Sequence, residues 1–179
     1  MKHQEYLSII EEKTSFLNQD NLLFWDLWCL NYVFEKIDSK KYDFYPELEN
    51  SFNLLWKYNS ATINLENLLD NENIQAIINF DNDVYEELDE FDISDKAVQE
   101  FIIGVESIVF NLEEGEEVIY NAYENPINLI DVEIDGIKIS QENTDTIYLD
   151  EINAQFKLID DLINNKVNYD FKNRNIYRK

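Results

Sequence analysis

The chain has 179 residues, 45% apolar and 14% aromatic, which is enough to bury the core of one domain and argues against intrinsic disorder. Its formal net charge is −24, and a field of this sign repels nucleic acid and anionic lipid headgroups. Three Gly and two Pro are too few for the many turns of an all-β fold. We therefore predict a mainly α, single-domain multi-helix bundle over residues 1–167.

Apolar residues recur at helical spacing in the first third of the chain. They predict helices over residues 3–17, 21–37 and 46–58. Asp20 is the candidate N-cap of the second helix, and Pro46 fits the first turn of the third, where its missing N–H costs nothing. The second helix is apolar around much of its circumference, so we expect it at the centre of the core.

The middle of the chain predicts shorter helices followed by one long helix. Asn64 can cap a helix that runs to Leu69, and another short helix is predicted over 72–80. Beyond an acidic stretch, Ser94 is the candidate cap of a strongly amphipathic helix over 95–112.

The last third mixes helix signals with one possible strand signal. A helix is predicted over 116–125, ended by Asn125-Pro126. In VEIDGIKI an Asp-Gly pair between alternating residues predicts a short β-hairpin near 132–139, unless the segment is partly helical. A final helix is predicted over 146–165, and the basic residues 168–179 are expected to fray.

Few residues of this sequence could support catalysis. His3 is the only histidine, which excludes Ser–His–Asp and Cys–His arrangements and zinc sites built from Cys and His. Cys29 is the only cysteine and has no basic residue close in sequence to activate it, so we expect it in the core with Trp25 and Trp28. The three glycines lie too far apart for a phosphate loop. We predict no catalytic residue, no cofactor and no enzyme activity.

The same residues bear on localisation. A lone cysteine fits a reducing compartment, and the N-terminal residues lack the pattern of a signal peptide. No apolar run reaches the roughly 18 residues that span a bilayer. We therefore expect a cytoplasmic protein that does not bind membranes.

Acidic residues are concentrated in one part of the chain. Between Lys57 and Lys138 there are 21 acids and a single basic residue, Lys96. The densest stretch, DNDVYEELDEFDISD at 81–95, contains eight acids. A charge run of this kind is usually a solvated face, so a merely soluble acidic surface is the simplest interpretation.

The acidic stretch itself predicts little regular structure. We expect one short turn, pinned to the core by Val84, Leu88 and Phe91. Acids occupy positions 1, 3, 9 and 12 of a calcium-loop frame that starts at residue 81, but Glu86 stands at the sixth position, where the frame needs Gly. We therefore predict no metal site.

Dense carboxylates with interleaved aromatic residues suit the rapid capture of a basic protein. Electrostatic steering raises association rates by about 10- to 1,000-fold, and aromatic anchors supply short-range energy. We predict that the acidic stretch 81–95, together with the EEGEE turn, forms part of the partner-binding surface. Its residues are Asp83, Tyr85, Glu86, Glu87, Asp89, Glu90, Asp92, Glu113, Glu114, Glu116, Glu117, Tyr120 and Tyr123.

Packing of these two acidic segments against each other would affect stability. Repulsion would raise the carboxylate pKa values in the folded state, so the folded protein would bind more protons than the unfolded chain. Stability would then fall between about pH 5.5 and about pH 8.

Two resemblances bear on function. The segment from ELENSFNLLW through DEFDISDKAVQEFIIGVESIVFNLEEGEEVIYNA resembles a bacterial all-helical family, number four-one-six of the domains of unknown function. In type, this small, acidic, mostly helical chain is similar to the immunity proteins of polymorphic-toxin and contact-dependent growth inhibition systems. That resemblance implies a cytoplasmic toxin inhibitor that binds a basic toxin domain, often a nuclease.

The sequence favours an immunity protein that neutralises a cognate toxin by direct binding, and it leaves alternatives open. A helical housekeeping domain of the unknown-function family is one of them. An acidic nucleic-acid mimic would space its carboxylates like phosphates along an elongated face, and an enzyme would need a concave pocket with two or three convergent carboxylates.

Overall fold

The computed structural model describes residues 3–114, 121–136 and 141–178. Within them the chain forms nine α-helices, a short 3₁₀ helix at Phe171–Asn173 and no β-strand, which confirms the predicted mainly α bundle. None of these helices is both long and apolar enough to cross a membrane. The helices are α1 (His3–Thr14), α2 (Gln19–Phe34), α3 (Tyr45–Asn59), α4 (Leu65–Leu69), α5 (Glu72–Ile78), α6 (Asn82–Glu86), α7 (Ile93–Glu114), α8 (Glu124–Gly136) and α9 (Gln141–Ile163).

Helix α2 lies at the centre of the bundle because it is apolar on nearly every side. Helices α3, α7, α8 and α9 all pack against it. Trp25 and Trp28 are buried, with ring centroids 5.8 Å apart, and Cys29 is buried beside them, so their predicted place in the core is confirmed. Full burial of one large apolar side chain contributes about 1.5–3 kcal/mol, which makes α2 a major source of the core's stability.

The helix starts depend on side-chain caps. Helix α2 begins before residue 21 because Asn18, and not Asp20, is its N-cap: the Asn18 side chain accepts the Asn21 N–H at 2.9 Å. The backbone of Asn18 is extended, as an N-cap requires. Asn64 accepts the Asn67 N–H at 2.8 Å, which confirms the predicted cap of α4.

The start of α7 also differs from the prediction. Asp92, and not Ser94, accepts a backbone hydrogen bond in the first turn, from the N–H of Asp95 at 2.9 Å. The Ser94 hydroxyl instead accepts the N–H of Asp38 at 2.8 Å. Ser94 therefore fastens the start of α7 to the connection that follows α2, and the helix begins at Ile93.

Helix α8 replaces two predicted elements. The prediction of a β-hairpin near 132–139 is wrong over residues 132–136, because these residues are helical. Residues 137–139 lie outside the described range. Ile127 and Ile130, one turn apart, are buried, and α8 packs against α2 and α7, so helical packing overrides the short alternation. The predicted helix 116–125 is also wrong at its end, because Pro126 lies in the first turn of α8. Residues 116–120 are outside the described range.

The basic segment 168–178 does not fray, contrary to the prediction. It lies along one face of α2, where polar side chains one or two turns apart hold it. Trp28 Nε1 donates to the Ile176 carbonyl at 3.0 Å, and Asn31 Nδ2 donates to Asn175 Oδ1 at 2.8 Å. These hydrogen bonds hold the segment against α2.

Arg178 fastens the end of this segment to the core. Its guanidinium donates to both oxygens of Glu151 on α9 at 2.8 and 2.9 Å, and to the Trp28 carbonyl at 2.6 Å. It also lies 3.3 Å above the Trp28 ring centroid. Gln155 donates to Glu151 at 3.0 Å and accepts from the Tyr6 hydroxyl at 2.5 Å. This buried polar chain links α1, α9, α2 and the basic segment.

Candidate functional site

The acidic stretch 81–95 connects α5 to α7 and contains the short helix α6. Four of its carboxylates accept backbone hydrogen bonds: Asp95 Oδ2 accepts the N–H of Asp89 at 3.1 Å, and the other three accept at the starts of helices or turns. Asp81 Oδ1 accepts the N–H of Asp83 at 2.9 Å, and Asp89 Oδ1 accepts the N–H of Phe91 at 2.9 Å. Asp92 Oδ1 accepts the N–H of Asp95 at 2.9 Å in the first turn of α7. A carboxylate at a helix start also faces the positive end of the helix dipole. Part of this acid content therefore stabilises the fold.

Asp92 and Asp95 form an ion-pair cluster with Lys41. Lys41 Nζ lies 2.8 Å from Asp92 Oδ1 and 2.9 Å from Asp95 Oδ1, and the Tyr42 hydroxyl donates to Asp95 Oδ1 at 2.5 Å. The hydrogen bond from Lys41 lowers the pKa of Asp92. Burial acts to raise the pKa of Asp95, but the hydrogen bonds from Tyr42 and Lys41 outweigh it, and that pKa is lowered too. These directions are opposite to the predicted rise.

The remaining acids of the stretch point into solvent. Asp83, Glu86, Glu87 and Glu90 are exposed, and their carboxylates form no hydrogen bond or ion pair with any other side chain in the described part of the chain. We call these four residues, together with Phe91, the acidic ridge. Its carboxylates are hydrated and unneutralised, which is the state that favours capture of a cation.

The predicted aromatic anchors are only partly at the surface. Tyr85 is half-buried against the core, and burial raises the pKa of its hydroxyl. Tyr123 is buried, with its ring 5.9 Å from that of Tyr6, so its prediction as a binding residue is wrong. Tyr120 lies outside the described residues. Phe91, predicted to pin the stretch to the core, is instead 75% exposed on the ridge.

Among the described residues, the two predicted acidic segments lie at opposite ends of α7. Glu113 and Glu114 are exposed at the C-terminal end of α7, whereas the stretch 81–92 precedes its N-terminal end. A helix of 22 residues is about 33 Å long, about three Debye lengths at 0.1 M salt. Repulsion between the segments is screened at that distance. Glu116 and Glu117 lie outside the described residues.

Helix α7 has an exposed face that the sequence analysis overlooked. Ile103 is 41% and Phe110 is 51% exposed, and they lie seven residues apart on the side opposite the buried stripe. We call Gln99, Ile103, Glu106, Phe110 and Glu113 the outer face of α7. Gln99 Nε2 donates to the Leu88 carbonyl at 3.2 Å, which fastens the acidic ridge beside this face. Ile103 and Phe110 are apolar residues that do not belong to the buried stripe of α7, and this feature of the sequence could have revealed the outer face.

The described residues offer little that resembles a catalytic centre. Cys29 is fully buried, and burial raises the pKa of its thiol. The described part of the chain contains no group of three or more His, Cys, Asp or Glu side chains that could hold a metal ion. An open cleft of about 770 Å³ lies between the start of α2, the end of α3 and Tyr169, and Asp20 is the one carboxylate among the residues that line it.

Comparison of the chain with protein-family models, with curated proteins and with solved structures finds no match. Both resemblances of the sequence therefore stay predictions, and function has to be argued from the surface described above.

Proposed function

We propose that the protein binds a basic protein partner through the acidic ridge and the neighbouring outer face of α7. We further propose that the partner is a cognate bacterial toxin domain of the nuclease class, which this protein neutralises in the cytoplasm as an immunity protein. The observation that carries the proposal is the set of four exposed carboxylates without a described partner on the acidic ridge, together with the exposed side chains of Phe91 on the ridge and of Ile103 and Phe110 along the outer face of α7.

Charge and shape favour a protein partner over other classes. The net charge of −24 repels nucleic acid and anionic membranes and attracts cationic proteins over several ångströms. Large apolar side chains beside the carboxylates supply the short-range energy that hydrated acids lack. A nucleic-acid mimic would be expected to present carboxylates without such apolar residues among them.

The immunity role predicts a toxin gene directly upstream, and it is tested by co-expressing the protein with the toxin domain that such a gene would encode. We expect the intact protein to restore growth and to bind the purified toxin domain in a one-to-one complex. Toxin binding without growth rescue would reject neutralisation, and neither binding nor rescue would reject the immunity role.

The binding surface is tested by charge reversal with a matched control. The triple variant Glu86→Lys, Glu87→Lys, Glu90→Lys reverses three of the four ridge charges and leaves Asp83 and the capping carboxylates in place. The control triple, Glu11→Lys, Glu12→Lys and Glu49→Lys, makes the same change in net charge at exposed sites on α1 and α3. We expect the ridge variant to associate with the toxin domain at least about tenfold more slowly at low salt, and the control to change far less.

Equal slowing by the two triples would mean that net charge alone governs association, and the ridge would lose its role. Melting temperatures of both variants, measured alongside, separate lost binding from lost folding. Because exposed charges are screened over about 10 Å at 0.1 M salt and about 3 Å at 1 M, the difference between the triples is expected to vanish at high salt.

A further inference from the structure

The outer face of α7 has the spacing of one side of a two-helix coiled coil. Gln99, Ile103, Glu106, Phe110 and Glu113 follow one another at intervals of four, three, four and three residues. This is the heptad interval at which one helix presents a seam to a second helix that supercoils around it. In α7 the seam lies opposite the stripe that packs into the bundle, so the helix is apolar toward the core and carries two further apolar residues toward solvent.

The apolar and acidic positions of the seam alternate. Ile103 and Phe110 are about 10.5 Å apart along the helix axis, with Glu106 between them and Glu113 beyond. Glu106 has no ion pair among the described residues. Burial raises the pKa of the Glu106 carboxyl, so its charge is partly desolvated before any partner arrives. A cation placed against Glu106 would therefore gain more than one placed against a fully hydrated acid.

We propose that the outer face of α7 is a helix seat, meaning a surface that binds a basic amphipathic helix of the partner protein. This inference rests on the proposed function and specifies its partner. Apolar residues of that helix, seven positions apart, pack against Ile103 and Phe110. Its Lys or Arg residues pair with Glu106 and Glu113, and further cations at one end reach Glu86 and Glu90 of the acidic ridge.

Charge selects this occupant over a second copy of the same chain. Two copies packed through α7 would bring Glu106 and Glu113 of each against the other within a net charge of −24 per chain, and like charges in a seam disfavour pairing. The neighbouring ridge adds four more carboxylates to the same side. A helix that carries positive charge relieves all of this repulsion, whereas a neutral or acidic helix relieves none of it.

The test uses the full-length protein and a synthetic helical peptide of roughly 18 residues, about 27 Å long, with Leu every seventh position and Lys at the flanking seam positions. Binding is measured by fluorescence anisotropy at low salt. A second peptide with every Lys replaced by Glu is the charge control. We expect saturable binding of the Lys peptide and none of the Glu peptide; no saturable binding of the Lys peptide overturns the proposal.

Point variants locate the seat. Ile103→Ser and Phe110→Ser are each expected to weaken binding of the Lys peptide about tenfold, as for apolar anchors at an interface. Leu149→Ser on α9, where the side chain is 43% exposed, is the matched control and is expected to leave binding unchanged. Melting temperatures show whether each variant is folded.

The pattern of losses separates this inference from the proposed function. Binding that is lost in the ridge triple at residues 86, 87 and 90 but unchanged in Ile103→Ser and Phe110→Ser would overturn the helix seat and leave the acidic ridge as the binding surface. Toxin binding that is insensitive to the ridge triple, while the peptide still requires Phe110, would overturn the ridge and retain the seat. Equal weakening by Leu149→Ser would overturn the seat.

Discussion

Replacement of Arg178 by alanine tests whether the basic segment 168–178 is part of the fold. The Arg178 side chain is 10% exposed and its partner Glu151 is 3% exposed, so this ion pair is buried. Arg178→Ala removes three hydrogen bonds and the contact with Trp28, and it leaves the Glu151 carboxylate without its cation. Removal of one partner of a buried pair costs about 3–5 kcal/mol.

Urea unfolding followed by tryptophan fluorescence measures this loss, because Trp28 lies directly under the guanidinium. For a chain of this size, a loss of about 3–5 kcal/mol corresponds to a drop in Tm of roughly 6–20 °C. The double variant Arg178→Ala, Glu151→Gln is expected to be less destabilised than the sum of the two single variants, because it leaves no uncompensated charge.

Lys172→Ala is the matched control. Lys172 belongs to the same segment, but its side chain is 76% exposed, and within the described part of the chain it pairs with Asp170, whose side chain is 46% exposed. We expect no measurable change in stability. A loss below about 1 kcal/mol for Arg178→Ala, typical of a surface ion pair, would refute the docking of the segment through Arg178.

The remaining predictions concern pH, thiol reactivity and capping. Because the folded pKa of Asp95 lies below its unfolded value near 4, its ionised form stabilises the protein above about pH 4, and this contribution is lost as the pH falls through the folded value. Asp95→Asn is therefore expected to flatten the acid side of the curve of unfolding free energy against pH; an unchanged curve would contradict it. Cys29 is fully buried, so a thiol reagent is expected to modify it only as fast as the protein unfolds. Reaction of the native protein at the rate of a free thiol would show that the core opens. Asn64→Ala is expected to cost about 1 kcal/mol through the lost cap of α4, measured by urea unfolding, and no loss would mean that α4 is held by packing alone.

The candidate surface was only partly predictable. The sequence located the exposed carboxylates Glu86, Glu87 and Glu90 correctly, because a run of acids without apolar spacing has to face water. It placed Tyr123 on the surface and Phe91 against the core, and both are wrong because an aromatic residue in a polar stretch can face either way. The pairing of Lys41 with Asp92 and Asp95 joins residues more than 50 positions apart, which local patterns do not encode.

The sequence by itself determined the features that depend on neighbours along the chain. Apolar periods of 3.6 residues set the helices and their buried faces, and the largely apolar α2 had to be central. Asn64 marked the start of α4. Each of these features depends on contacts within one or two turns. The tertiary structure alone decided that 132–136 are helical, that the basic segment docks on α2, and that α7 separates the two acidic segments. These outcomes depend on which surfaces remain uncovered after the helices pack, and burial against distant helices outweighs local turn signals and charge.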